Sequence, residues 1–398
     1  MQPAEDNRVA RNGLWLRVAG TVGAHFLAAW ALAAGFTLQT MRVPISVDGQ
    51  YISSSMFLDF QARSYGVPFA IFDAHTVDER EVAFAQIVSA VRNNNSIKAA
   101  QLWTPPAQKL QDNGKTGTVV PLTNASAEDF VALYRSAFLN FENVQVISDI
   151  RVGSRDLFVW DPQAPGRPRR RGFSVGAKDD KVVVQEVTSG SPVELLIVNW
   201  MDEVAKNPQA YQSAVTPKLK YHYAIPVDGP HDPGKYPVVL GFDGESIDFD
   251  VFNAAVAAPS PVLAFYRSAY LALKGRSIES FIQMHTEKSQ DKLRKWLATM
   301  SKEEFEKFYL STVGGRYVKF VLNADPVYIV FYGPQKGRTW LPGSLSYQYI
   351  LRDPKTRQLK LTNVFFLSFF DDFLQNTNLF DQRFLKPLSA PSVRTAAR

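Results

Sequence analysis

The chain has 398 residues, 46% of them hydrophobic, 13% aromatic and 21% charged, which is too long for one ordinary core and too apolar for a disordered chain. It has no cysteine, so disulfides, thiolate nucleophiles and Cys-ligated zinc are excluded. The net charge of +6 is spread over 44 basic and 38 acidic residues with no nucleic-acid motif beside it, so no nucleic acid is expected as a partner.

The first element reads as an address. Arg8, Arg11 and Arg17 precede Val18 to Leu38, a stretch whose only ionisable side chain is His25. Cations held on the cytoplasmic side followed by an apolar helix of about 20 residues are the physical requirements for export or anchoring, and Ala31-Leu32-Ala33 offers the small-residue pattern of a cleavage site. Residues 1–40 are therefore expected to be a signal peptide or membrane anchor. The body then lies outside the cytoplasm, periplasmic, secreted or tethered to an inner membrane, with the bilayer as a partner if the segment is uncleaved. The bland alternative is a buried N-terminal helix of a soluble protein.

Val43 to Ile52 alternates about an Asp48-Gly49 step, a hairpin pattern. Val82, Phe84, Ile87, Val88 and Val91 then fall on helical spacing, followed by an Asn-rich turn and a short helix through Leu102 and Trp103. Ser126 with Glu128 and Asp129 starts a third helix, because a hydroxyl and carboxylates meet its unpaired first N–H groups. Strands are expected at Val144 to Ile147, Asp156 to Trp160, Gly172 to Val175, Val182 to Val187 and Val193 to Trp200.

The same order recurs later. Tyr236 to Ile247 repeats the hairpin form around Asp243-Gly244; Val262, Phe265, Tyr266, Ala269 and Leu273 repeat the first helix. Ile282 to Met284 match the second, and Ser301, Glu303, Glu304 and Phe305 match the third helix start. Val318 to Val321, Val327 to Tyr332, Leu345 to Leu351 and Leu359 to Phe370 are the expected strands. The expected fold is α+β: two tandem cone-like modules, each three helices on a curved antiparallel sheet, plus the N-terminal apolar helix. The modules span 43–207, with the leading hairpin, and 261–386. Bracing strands, including Leu219 to Ile225, occupy 208–260, and a polar, disordered tail fills 387–398.

Three helices followed by a bent meander sheet resemble, by element order, the nuclear transport factor 2-like superfamily over roughly 78–207 and 259–386. The resemblance implies a sheet wrapped around a ligand-binding pocket in each module. It also implies a covalent tandem acting as a dimer within one chain, with the apolar Val364 to Phe370 as a candidate contact between modules or subunits. Isomerases, dehydratases and epoxide hydrolases of that superfamily use a carboxylate or His as base and a Tyr to polarise oxygen. Weak candidates here are His285, Tyr266, Asp325 and Asp371, against the bland reading of His285 as an ordinary capping or partly exposed residue.

No nucleotide loop, zinc-protease helix or nucleophile elbow is present, and no cofactor or metal is expected. His222, Asp228, His231 and Asp232 gather near one loop but match no ligand spacing, and turn chemistry accounts for them. Arg167, Arg169, Arg170 and Arg171 could grip phosphate or carboxylate on an anionic surface, though such runs are usually solvated loop tips. The leading expectation is a non-catalytic binding or assembly protein of the cell envelope, with envelope proteins as partners. The alternatives are an enzyme acting on a small apolar ligand in the second module and a carrier of lipids or small molecules.

Overall fold

The computed structural model describes residues 35–47, 50–105, 107–109, 119–121, 126–138, 143–162, 170–188, 191–206, 219, 221–229, 232–334, 346–353 and 356–362. The chain opens with β1 (Thr37–Val47), β2 (Gln50–Pro68), α1 (Phe69–Ala74), α2 (Glu79–Arg92), α3 (Ser96–Leu102), β3 (Ala107–Lys109), β4 (Val119–Pro121) and α4 (Ala127–Phe138). It continues with β5 (Gln145–Val152), β6 (Arg155–Asp161), β7 (Arg171–Lys178), β8 (Lys181–Glu186), α5 (Pro192–Lys206), β9 (Tyr221–Ala224) and β10 (Val239–Asp250). Last come α6 (Pro261–Lys274), α7 (Ile278–Gln283), α8 (Glu287–Thr299), α9 (Lys302–Val313), β11 (Tyr317–Ala324), β12 (Val327–Gly333), β13 (Ser346–Arg352) and β14 (Leu359–Thr362).

Twelve strands form one antiparallel sheet in the order β14-β13-β12-β11-β10-β2-β5-β6-β7-β8, with β1 beside β2 and β9 beside β10, while β3 and β4 pair separately. This corrects the expected fold of two tandem cone-like modules. The strands belong to a single sheet, because β2 is one long strand whose first part pairs with β10 and whose second part pairs with β5. Nor is an N-terminal apolar helix part of the described structure: residues 18–34 lie outside the described residues, and Thr37 and Leu38 belong to β1. No described helix is long and apolar enough to cross a membrane.

Contacts divide the chain into two compact units whose boundary falls inside β2. The first takes residues 60–110 and 119–206 with those before 40; the second takes 40–59, 111–118 and everything after 206. In the first, Phe69, Phe72, Phe84, Phe158 and Phe173 form an aromatic core, with Phe84 stacked on Phe158 at 4.7 Å and 6°. The Trp160 ring lies 4.6 Å from Phe138 and 5.5 Å from Phe173. In the second, Leu263, Tyr266, Tyr270, Leu273, Ile282, Val318, Val330, Ile350 and Leu361 pack together.

The two units repeat one register. Ala62 faces Ile150 and Gly244 faces Leu322; a bulge separates Ser64 from Val67 and another separates Ser246 from Phe249. The next pairs break between Val146 and Ser148 in one unit and between Val318 and Phe320 in the other. Bulges displace a strand's side chains by one position, so matching bulges keep matching residues facing inward. The caps repeat too. Ser126 Oγ accepts from Asp129 N at 3.1 Å and Ser301 Oγ from Glu304 N at 3.2 Å, and each acidic side chain reaches back to its serine N–H.

Three local expectations change. Val193 to Trp200 is helix α5, not a strand, since Val193, Leu196 and Ile197 bury one helical face and Glu194 sits in the first turn. Asp243-Gly244 is no hairpin turn but the middle of β10, where a Cβ would lie 2.6 Å from the Phe320 ring; the glycine admits a neighbouring side chain. Each unit has one helix more than expected ahead of its meander, α1 in the first and α8 in the second. Val364 to Phe370 and the tail lie outside the described residues.

Candidate functional site

Repetition of register lets each buried side chain of one unit be set beside its counterpart in the other. Phe69 N donates to Val144 O in the first unit as Val251 N donates to Arg316 O in the second, at 2.8 and 3.0 Å. Val146 faces Trp160 as Val318 faces Tyr332, and Phe158 faces Phe173 as Val330 faces Gln348. Helices α2 and α6 close alike, with Asn93 N on Ser89 O and Gly275 N on Leu271 O, followed by left-handed Asn94 and Arg276 at φ 54° and 57°. Counting back from those ends, Phe84 matches Tyr266 and Val88 matches Tyr270. Five apolar residues of the first core therefore correspond to Tyr266, Tyr270, Arg316, Tyr332 and Gln348 in the second.

These five form one cluster. Arg316 is 5% exposed, and its guanidinium carbon lies 3.7 Å from the ring centroids of both Tyr270 and Tyr332. Its Nη1 donates to Tyr266 Oη at 2.5 Å, while its Nε has no hydrogen-bond partner. Tyr270 Oη donates to Gln348 Oε1 at 3.3 Å, and Gln348 Nε2 donates to Thr362 O at 2.5 Å. A Cβ on Gly315 would meet Pro334 O at 2.5 Å, so glycine there lets the entry to β11 lie against the end of β12, where Tyr332 sits.

The electrostatics separate this arginine from three of the first unit. Arg63, Arg80 and Arg155 of the first unit meet Glu81, Asp156 and Glu194 at 2.6, 2.8 and 2.9 Å. Among the described residues, no carboxylate pairs with Arg316. Burial works against its charge, but the phenol oxygens of Tyr266, Tyr270 and Tyr332 more than offset that, so it stays protonated. Burial pushes the Tyr266 hydroxyl well above the ordinary phenol range and that of Tyr270 up to about 12. The result is a desolvated cation surrounded by phenols.

The first unit buries charge differently. Glu81 Oε1 accepts from Arg63 at 2.6 Å and from Tyr65 Oη at 2.7 Å, and its Oε2 accepts from Val77 N at 2.8 Å. Asp149 is 0% exposed, with neither carboxyl oxygen hydrogen-bonded. Burial, then the nearby Asp156, raise its pKa well above the carboxylate range despite the pull of Arg63. Its counterpart in the second unit is Val321, since Arg63 faces Asp149 as Glu245 faces Val321.

Of the acid–base candidates, Tyr266 and His285 are joined through the rings of Tyr270 and Phe281, at 5.5 Å between Tyr270 and Phe281, while Asp325 stands apart on an exposed turn. Tyr266 belongs to the arginine cluster. His285, 1% exposed, stands on the bridge to Leu361; its Nδ1 lies 2.9 Å from Phe281 O, and its ring meets the Phe281 ring edge-on at 4.8 Å. A carbonyl can only accept, so Nδ1 carries the proton. Asp325 is exposed in the turn between β11 and β12, 3.7 Å from Arg352, and Asp371 lies outside the described residues. His285 corresponds to Trp103, whose bridge to Val184 mirrors that to Leu361.

Of the arginine run, Arg167 and Arg169 lie outside the described residues. Arg170 N donates to Asp202 Oδ1 at 2.8 Å, and burial lowers the guanidinium pKa against the opposing pull of Asp161 and Asp202. Arg171 lies 5.5 Å over the Tyr134 ring. Both face their own unit. In the loop after β9, His231 is outside the described residues and Asp232 Oδ1 accepts from Gly234 N at 2.8 Å, the turn chemistry expected. Among the described residues, no group of three or more His, Asp or Glu could hold a metal.

The arginine cluster was missed by sequence reasoning apart from Tyr266, because Arg316 between Gly315 and Tyr317 looks like a surface turn. A register-exact comparison of the repeats would have found it, as a cation standing where the first copy has Val144. Compared with family models, curated proteins and solved structures, the chain matches none. The likeness to the nuclear transport factor 2-like superfamily therefore rests on element order alone.

Proposed function

We propose that this chain is a non-catalytic binding protein of the cell envelope, exported or anchored by its N-terminal apolar stretch, with ligand recognition assigned to the second unit and a supporting role to the first. One observation carries the division of labour: at five matched positions the first unit packs Phe84, Val88, Val144, Trp160 and Phe173, where the second has Tyr266, Tyr270, Arg316, Tyr332 and Gln348. Stability alone favours the apolar set, since buried polar groups cost free energy unless fully paired. A concerted change to polar residues is the mark of a site that answers to something besides packing.

The absence of catalysis in this reading is supported by the committed partners of the candidate groups: Tyr266 Oη accepts from Arg316, His285 Nδ1 donates to Phe281 O, and Asp325 is exposed beside Arg352. The envelope address is supported by Arg8, Arg11 and Arg17 ahead of Val18 to Leu38. Its partners are then a ligand and other envelope proteins.

The test of the address uses the full chain with a C-terminal reporter. Protease added to cells whose outer barrier has been opened should digest the body while a cytoplasmic control survives. An intact body in a membrane-free cytosolic fraction would remove the envelope reading.

A further inference from the structure

We infer that Arg316 anchors a small organic carboxylate in the second unit, held by the Nε edge of the guanidinium beneath the rings of Tyr270 and Tyr332. The inference rests on the reading of the second unit as the binding one and deepens it by naming the ligand class.

Three features of the cluster point to a ligand rather than to packing. The first is charge. A guanidinium this deeply buried is costly without a counter-ion, and the half-buried Arg63, Arg80 and Arg155 of the first unit meet carboxylates, whereas Arg316, the more deeply buried, meets phenols. The second is geometry. Aromatic rings cover the faces of the guanidinium and Tyr266 Oη takes Nη1, so the remaining in-plane donors lie along the edge that includes unpartnered Nε. That edge is the one that receives two oxygens of a carboxylate side by side. The third is the surroundings. Tyr270 and Tyr332 supply aromatic surface for an apolar ligand body, and Tyr332, half-buried, is the ring that must move to admit it.

The charge count chooses between oxyanions. Among the described residues the cluster offers one cation and neutral hydroxyl and amide groups. A monoanionic carboxylate neutralises it, whereas a dianionic phosphate would leave a negative charge buried among phenols. Benzoate, a carboxylate on an apolar ring, is therefore the probe and inorganic phosphate the comparison.

The experiment is calorimetric titration of the full chain in detergent with sodium benzoate and with sodium phosphate at matched ionic strength, read in parallel by tyrosine difference absorbance. Benzoate should bind at one site per chain and perturb the tyrosine spectrum. Arg316→Met should weaken it at least about 100-fold and Arg316→Lys at least about tenfold, because lysine keeps the charge and loses the fork. The spectral change on the unaltered protein needs no variant to fold, and Tyr266→Phe, which keeps the ring, should weaken binding less than either arginine change. Binding unchanged in Arg316→Lys, equal or tighter binding of phosphate, or no benzoate binding would each overturn the assignment. So would benzoate binding that appears only after Asp371→Asn, since the chain's own carboxyl would then be the occupant. Address and ligand fail separately: a cytosolic body that binds benzoate keeps the site and loses the envelope, and an exported body that ignores benzoate does the reverse.

Discussion

The two units run the same strands in the same register with bulges at the same places, yet one buries Phe84 against Phe158 where the other buries Tyr266 against Arg316. A shared backbone thus carries two kinds of interior. In the first unit the half-buried Arg63, Arg80 and Arg155 close on carboxylates, so these cations are paired within the fold. In the second the buried arginine closes on aromatic rings and phenols, with no carboxylate beside it among the described residues. Comparing matched positions separates what the fold requires from what a site requires, because the strand register is shared and the side chains on it vary.

The largest expected contrast comes from removing each unit's arginine. Arg63→Met strands the buried carboxylate of Glu81 and should destabilise the protein by about 3–5 kcal/mol, whereas Arg316→Met, which strands only the Tyr266 hydroxyl among the described residues, should cost no more than about 1–3 kcal/mol without ligand. Denaturant unfolding of both variants measures this, and equal losses would erase the distinction between the units.

Asp149→Asn should come next. Its folded-state pKa is raised, so its contribution to stability is complete below the unfolded carboxyl value of about 4 and is lost as pH rises through the folded value. Asparagine imitates the protonated acid. The variant should therefore be the more stable one at pH 7, by about 1–3 kcal/mol from relief of an unbonded buried carboxylate, with the advantage fading toward pH 4. Thermal melts across that range check the sign. A variant less stable at pH 7 would mean that Asp149 is ionised and paired with Arg63.

The smallest effect sharpens the comparison by its equality. Ser126→Ala and Ser301→Ala remove the same capping box from α4 and α9, and each should cost about 1 kcal/mol. A large loss at one and none at the other would mean that the helices differ in more than sequence.

Much of the element order was legible because its signals are local. Serine with acidic residues marked the starts of α4 and α9, and apolar runs marked β5, β6, β11 and β12. The joining of strands was not legible. Met56, Leu58, Phe60 and Ala62 are all buried along β2 with neither Gly nor Pro between them, and nothing local says that the strand changes partner from β10 to β5 along its length. Two separate sheets were expected where the sheet is one. Val193 to Trp200 misled because a short apolar run fits either period until the helical burial of Leu196 and Ile197 decides it. Of the candidate site only Tyr266 was legible, since a buried arginine and an exposed one look identical in sequence.

Hydrogen exchange of the full chain with and without saturating benzoate tests most directly the claim that one backbone serves packing in the first unit and recognition in the second. Protection should rise in 261–274 and 316–333, around Tyr266, Tyr270, Arg316 and Tyr332, and stay unchanged in the matching 79–92 and 144–161. Equal protection in both units, or in neither, would contradict it.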